Sequence, residues 1–336
     1  MMKIVVNDCE YIEFDFKEIN YFVGGNSEEL RSILQKFYRY FCNNHGQLEN
    51  VDDIKIIDGD NPVSIKNTNI IFIQGIQSIV DQLLYKKNSL LFNQFNRMSS
   101  DFELVRDLDN LNDVQMKLSI DLQEKINTVS KKLFVGLNDF TFDHVVKHNL
   151  QLAIKSADNL FALEYSSLDD LMDLYIDFLD EQLSFSDKPS WVVLYNLDAF
   201  LSHYSKTKLM SQIHLWIKLY DLKIIYIGGT LENCYINSDE IGNIIVSAEE
   251  FHSILPFDNL VKSIKMRYPN EMKMSETKLL SSLIRVIPKM GTSQLDYISG
   301  KDLVLLKVLD DMIGFKVSFN QEDFVLSNAE ISYLEN

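Results

Sequence analysis

The chain has 336 residues, 46% of them hydrophobic, and a formal net charge of −17. Length and apolar content support one large or two to three small domains with real cores and exclude a disordered chain. Only 12 Gly and 5 Pro argue against a loop-rich all-β fold, and the acidic total opposes global attraction to nucleic acid, though local patches escape that test. The longest apolar run, Ile70 to Val80, is broken by Gln74 and Gln77, so no membrane span is expected. No basic-then-apolar leader is evident. Cys9, Cys42 and Cys234 fit neither a metal spacing nor a disulfide framework and read as reduced thiols in a cytoplasmic protein.

Residues 1 to 80 read as the first half of an α/β domain. Lys3–Val6 and Tyr11–Phe16 predict a hairpin. Ile19 to Val23 is a buried strand, Gly24-Gly25 a turn, and Asn26 the cap of a helix, with Glu29 as its capping-box partner. Leu30, Ile33, Leu34 and Phe37 recur at helical spacing up to about Cys42. Ile54–Ile57 and Ile70–Ile73 are β-branched runs between polar turns and predict two more strands; His45 falls in the loop before them.

A strand, a glycine turn and a helix start form the setting in which P-loop proteins hold phosphates. The chemistry is missing here. In the G-x-x-x-x-G-K-[ST] pattern counted from Gly24, the second Gly becomes Glu29, the Lys becomes Leu30, and the metal-binding hydroxyl becomes Arg31. Glu28 and Glu29 stabilise the positive helix end and repel a phosphate. Two readings stand: an ordinary strand–turn–helix, or a nucleotide-hydrolase scaffold without its nucleotide.

From residue 77 to 184 helical spacing replaces strand signals. Leu104, Leu108, Leu111, Leu118, Leu122, Val129 and Leu133 form one seam, interrupted by Gln115 and Lys125. After Val135-Gly136-Leu137-Asn138, a second helical stretch is expected through Val145, Leu152, Leu160 and Leu163 to Leu183, giving an antiparallel helical arm inserted at 77–185. His144 and His148 share a helical face, but a zinc site needs further ligands. Ser156 to Asp187 carries nine acidic residues and no Lys or Arg. Ser167 with Asp170 reads as a helix N-terminal box, and Asp169, Asp173, Asp177 and Asp180 follow along one side. That face is solvated, or its repulsion is offset by a partner's cations or a hard metal ion. Asp158 and Glu164, just upstream, would be better placed for calcium if the chain bends there.

Residues 188 to 255 return to α/β. Trp191 to Tyr195 is a central strand. An ABC-type ATPase ends this strand in Asp then Glu; here Asn196 and Leu197 follow. A helix from about Lys206 to Tyr220 leads to the strand Lys223–Ile227, which ends in Gly228-Gly229 where such an enzyme places its switch histidine. Asn243–Val246 is a further strand. Three positions keep their context and lose their catalytic residue, which favours the scaffold reading and argues against ATP hydrolysis. Past Pro256, helices are expected at Phe257–Tyr268, Glu276–Ile287 and Lys301–Ile313, the last capped by Gly314, then a hairpin-like pair, Lys316–Phe319 with Phe324–Leu326. Val261 to Lys289 holds seven basic and two acidic residues, including Lys262 and Lys265. It reads as a solvated helical face or as a DNA or partner surface.

The order of the Gly24-Gly25 turn, Leu163-Glu164-Tyr165 opening an arm helix, and the strand into Asn196 with Ala199-Phe200-Leu201 following resembles one family. It is the CRISPR-associated adaptation subunit of type II-A systems, called Csn-two, and the chain is similar to its long variant. The resemblance covers about residues 1 to 255. It implies an α/β fold: a degenerate ABC-ATPase-like head (1–76 and 186–255), an inserted α-helical leg (77–185) and a C-terminal helical extension (256–336). It further implies a non-catalytic homotetrameric ring that encircles double-stranded DNA, binds its ends, and serves spacer acquisition beside the integrase complex and effector nuclease, with no nucleotide. Lysines line the family's bore, and Lys131, Lys132, Lys147 and Lys155 are the arm and head lysines named for that role. Calcium between head and leg is implied too, with Asp158 and Glu164 as candidates, although the family's acidic pattern after Tyr165 is replaced here by Ser166-Ser167. An active ATPase using Arg31, and an adaptor that binds only protein, are the alternatives.

Overall fold

The computed structural model describes residues 1–7, 10–42, 54–156, 159–248, 250–272, 274–292, 298–316 and 328–335. The chain divides into two compact units, 1–76 with 185–336 and 77–184.

The first unit opens with antiparallel strands β1 (Met2–Asn7) and β2 (Glu10–Phe14), as the alternating apolar pattern predicts. Strand β3 (Ile19–Val23) is buried along its whole length and leads into helix α1 (Ser27–Cys42). Strands β4 (Lys55–Asp58), β5 (Asn61–Pro62) and β6 (Asn69–Ile73) follow. A four-stranded antiparallel sheet has the order β2-β1-β4-β5.

The second unit holds helices α2 (Ile76–Gln82, starting at the boundary), α3 (Leu90–Met98), α4 (Phe102–Asn127) and α5 (Phe142–Asn149). A hairpin of β7 (Ala153–Ser156) and β8 (Asn159–Ala162) precedes α6 (Leu168–Ser184). The arm is therefore not two long helices. Leu152 and Leu160, placed on a second helix by their spacing, lie beside and within the hairpin, where Ile154 pairs with Phe161. Nor does α4 meet an antiparallel helix along its seam. The returning segment is extended and held by side-chain amides: Asn112 bonds both polar groups of the Phe140 backbone at 3.1 and 2.7 Å. Gln123 likewise bridges Leu133 and Val135, and Gln115 donates to the Asn138 carbonyl at 2.7 Å. Gln115, one of the two polar residues that break the leucine seam, is thus one of three that tie down the return. No α4 side chain is buried within the chain. The Ser167 box does form, with Ser167 Oγ accepting the Asp170 N–H at 3.1 Å and donating to its carboxylate at 2.7 Å. On α6, Leu171, Met172, Tyr175, Ile176, Leu179 and Leu183 are buried on the face away from exposed Asp170 and Asp177.

The chain then re-enters the first unit through β9 (Ser190–Tyr195), α7 (His203–Leu219), β10 (Leu222–Gly228), β11 (Ile244–Ser247) and β12 (Phe251–Ser253). These complete a six-stranded sheet, order β12-β11-β3-β10-β9-β6, parallel except for β12. Helices α8 (Phe257–Arg267), α9 (Glu276–Val286), α10 (Gly300–Ile313) and α11 (Asn328–Glu335) end the chain. Gly314 caps α10 in the left-handed region. The stretch from 256 packs within the first unit and does not separate as a third. The expected closing pair Lys316–Phe319 and Phe324–Leu326 lies, past Lys316, outside the described residues.

One core joins the two sheets through α1. Met2, Ile4, Ile12, Phe14 and Ile56 from the antiparallel sheet meet Phe22, Trp191, Val193, Ile225, Ile227 and Ile245 from the parallel one, with Leu30, Ile33, Leu34 and Phe37 of α1 among them. Fully burying each such side chain is worth about 1.5–3 kcal/mol. The alternation that sends Phe22, Val193 and Ile225 into this core turns Tyr21, Leu194 and Tyr226 to the other face of the sheet.

Candidate functional site

In a parallel sheet, ligands bind beyond the carboxyl ends of the strands. Here the ends of β3, β9 and β10 carry the three positions that the sequence singles out. At β3, Gly24 adopts φ +153°, and a Cβ there would lie 2.2 Å from the Ser247 carbonyl oxygen at the end of β11. The turn needs glycine because neighbouring backbone presses on it. Asn26 Oδ1 caps α1, accepting from the N–H groups of Glu28 and Glu29 at 3.2 and 3.3 Å. The Glu29 carboxylate accepts from Ser247 Oγ at 2.9 Å, across to β11. An acidic side chain thus occupies the mouth of a turn that would otherwise favour an anion.

The C-terminal stretch closes on the same turn. A Cβ at Gly25 would come within 3.1 Å of Thr292 Cβ and 3.3 Å of its Oγ1. Gly291 turns at φ +70° against Ala248, and its N–H donates to Asp310 Oδ1 of α10 at 2.9 Å. Asp310 is 1% exposed and its other oxygen has no hydrogen-bond partner among the described residues. Burial raises its carboxyl to about 7, opposed by the Gly291 bond and reinforced by Asp311.

At the end of β9, Asn196 takes the left-handed conformation, φ 47° and ψ 50°, and starts a 3-10 turn over Leu197–Ala199. Leu197 is buried, so the position of the expected acid is filled by an apolar side chain. The carboxylate that does reach this end is Asp198. Lys206, in the first turns of α7 and 1% exposed, donates to both Asp198 oxygens at 2.8 Å and to Tyr226 Oη at 3.2 Å. Tyr226 Oη donates to the Thr230 carbonyl at 2.7 Å. Burial pushes the Cys234 thiol up to about 11 despite Lys206 nearby, so it stays protonated at neutral pH and is a poor nucleophile. An ammonium therefore neutralises the carboxylate at this strand end. The Asp198–Lys206 pair spans a turn and a helix start, and no sequence spacing rule announces it. On the same face His214 meets Glu240 at 3.3 Å, and Glu240 first of all, then the Met210 carbonyl, raises the imidazole pKa against burial.

The named site residues are placed as follows. Lys131 and Lys132 are exposed in the turn after α4, Lys147 on α5 and Lys155 on β7. Lys147 pairs with Asp143 at 2.7 Å, which offsets its charge. Lys262 and Lys265 are exposed on α8, in the other unit. Asp158 lies outside the described residues, as do His45 and Cys9, and only the backbone of Glu164 is described, in a 3-10 turn at Leu163–Tyr165. Among the described residues no three His, Cys, Asp or Glu side chains gather into a metal site, a group that does not include the Asp158 and Glu164 side chains. His144 and His148 stack with ring centroids 4.6 Å apart. Arg31 sits on the outer face of α1, lining a cavity of about 290 Å³ with Tyr38, Arg39 and Gln74. No helix among the described residues is long and apolar enough to cross a membrane.

The crystal structure of Stu0660 of Streptococcus thermophilus superposes with a TM-score of 0.83 at 20% identity, covering 99% of each chain, so the two share a fold. CbiO1 from Clostridium perfringens, part of the ABC transporter complex cbiONQ, reaches a TM-score of only 0.37 at 12% identity over 80% of this chain and 95% of its own. The SmcHead bound to the C-winged helix domain of ScpA reaches 0.42 at 11% identity over 78% and 98%. Both scores are too low to bear on the fold. Among curated proteins none matches significantly. The family model described as CRISPR-associated protein Csn2 subfamily St matches residues 6–323. The chain therefore belongs to the Csn2 family of CRISPR-associated proteins, subfamily St, a family of CRISPR adaptation.

Proposed function

We propose that this chain is a non-catalytic protein that binds double-stranded DNA at its ends in CRISPR spacer acquisition. In this reading it is a homotetrameric ring in the cytoplasm, with an ABC-ATPase-like head whose nucleotide site is degenerate. Its partners are the integrase complex and the effector nuclease. The observation that carries the reading is membership of the Csn2 family over residues 6–323. The strand ends support it: Glu29 bonds Ser247 at the glycine turn, the apolar Leu197 follows the central strand, and Asp198 is neutralised by Lys206. The exposed Lys131, Lys132, Lys155, Lys262 and Lys265 are the candidate DNA contacts; Lys147, tied to Asp143, is the weakest of the six. Calcium, with Asp158 and Glu164 as ligands, belongs to the proposal on the resemblance alone.

A clamp that reads no bases binds duplex of any sequence, with affinity falling steeply as salt rises. The test is binding to linear and closed-circular duplex of identical sequence, with mass in solution measured alongside. Loading on linear duplex only, by a tetramer, is expected. Equal loading on closed circles, or a monomer throughout, overturns the ring. Micromolar binding of ATP with magnesium, lost in Arg31→Ala, would establish the ATPase alternative, and no DNA binding even at low salt would leave the protein-only adaptor.

A further inference from the structure

Helices α9 and α10 enclose a cavity of about 330 Å³ lined by Thr277, Lys278, Ser281, Ser282, Arg285, Ser299, Lys301 and Asp302, with Met274 at its edge. Three cations face it and one carboxylate. Asp302 is 5% exposed and already committed: its Oδ2 accepts from Arg285 Nη2 at 2.9 Å and Nε at 3.3 Å. Arg285 Nη2 also donates to Ser282 Oγ at 3.2 Å. This fixes one edge of the guanidinium, while its side chain stays 50% exposed toward the cavity. Nη1 makes no hydrogen bond among the described residues.

The two lysines are placed against their own helices. Lys278 is the third residue of α9, after the N-cap Ser275, and Lys301 the second of α10, after the N-cap Ser299. A cation in a first helical turn opposes the macrodipole. Neither ammonium has an ion-pair partner among the described residues, and both side chains are exposed. Glu276 is the nearest other acid on α9, at its first position, and it does not line the cavity. In a chain of net charge −17, two helix N-termini and three cations meet at one concavity with, among the described residues, a single, paired carboxylate. An anion in the cavity would offset that cost.

We propose that this cavity is a binding site for a phosphate group. Arg285 would present the two free N–H groups of Nη1, Lys278 and Lys301 would act as point charges, and the Thr277 hydroxyl would serve as a neutral donor, the Ser281 hydroxyl being spent on the Thr277 carbonyl. A phosphate dianion fits this donor set, with four N–H or O–H sources and no unpaired acceptor charge. The group could belong to a nucleic acid or to a small phosphate compound. The site stands on its own lining residues, whether or not the chain encircles DNA.

The probe is inorganic phosphate, read as a change in melting temperature of the full chain against chloride at equal ionic strength. The variant is Lys278→Gln with Lys301→Gln, both exposed and unpaired, so folding is retained. Phosphate is expected to stabilise the wild type, with apparent affinity reduced on the order of tenfold or more in the double variant. No stabilisation of the wild type beyond chloride overturns the site, as does an undiminished response in the double variant. Arg285→Lys, which keeps the charge and loses the fixed Nη1 donors, should fall between the two; a response equal to wild type also counts against the proposal. Duplex DNA with and without a 5′-phosphate then identifies the source. Weaker binding by the double variant on the phosphorylated duplex alone marks a DNA end, and equal weakening on both marks backbone phosphates. Unchanged duplex binding, with the phosphate response lost, marks a small phosphate compound.

Discussion

Lys206 donates to both carboxylate oxygens of Asp198 at 2.8 Å, and the pair is lopsided: the lysine side chain is 1% exposed, the aspartate 36%. Removing the aspartate strands a charge in the interior, whereas removing the lysine leaves a carboxylate that water can reach. Asp198→Ala should therefore cost about 3–5 kcal/mol and Lys206→Met less, about 1–3 kcal/mol. Urea unfolding of both single variants and the double checks this. Equal costs for the two would show that solvent does not reach Asp198.

Gly24→Ala tests the crowding around the glycine turn. The added Cβ would lie 2.2 Å from the Ser247 carbonyl, at a positive φ, so the ends of β3 and β11 must part. A loss of about 2–4 kcal/mol is expected. Gly59→Ala, also at positive φ but with nothing within 4 Å of its Cβ, should lose only the backbone part of that cost. Thermal unfolding of the pair separates crowding from strain.

A buried group and a partly buried one make stability fall as pH rises. The Asp310 carboxyl is raised to about 7 by burial, and His214 is raised chiefly by Glu240. Both bind protons more tightly folded than unfolded. Their contribution is full below the unfolded pKa and is lost as pH rises through the folded one. The melting temperature should therefore drop between about pH 5.5 and pH 8. Asp310→Asn, which keeps an acceptor for the Gly291 N–H, should exceed wild type by on the order of 1–4 kcal/mol near pH 8 and flatten the profile. His214→Gln should remove the remaining slope near neutrality. Asp15, Asp81 and Asp143 are lowered by hydrogen bonds to Lys17, Lys86 and Lys147, so their stabilisation fades only in acid, outside this window. A melting temperature that climbs from pH 5.5 to pH 8 would contradict the assignment of both groups.

Calcium, if held by Asp158 and Glu164, should raise the melting temperature at millimolar metal by binding linkage, and magnesium should do so less. Glu164→Ala should abolish the response and leave the metal-free melting temperature near that of wild type. Absence of any calcium shift in the wild type removes calcium from the proposed function.

The strands β3, β9 and β10 were legible because four to seven apolar residues between polar turns have few other ways to be buried. Helices α1, α8, α9 and α10 announce themselves by period, α1 also by its Asn26 cap and α10 by its Gly314 stop. That Glu29 and Leu197 stand where a P-loop glycine and a catalytic acid would was legible too, since it depends on which residue follows a strand. The arm was misread because its leucine spacing suits a helix on either side. Only the tertiary structure shows that Gln115, Asn112 and Gln123 bind an extended return, and that Leu160 belongs to a hairpin. Helical period says which face is apolar; it does not say whether that face meets another helix or an extended chain whose backbone must be hydrogen-bonded. The closing of Thr292 on Gly25, 267 residues apart in sequence, and the meeting of Lys278, Arg285 and Lys301 across two helices depend on packing geometry alone. No local rule encodes contacts of that range, because the entropy of closing such loops is offset only by the finished core.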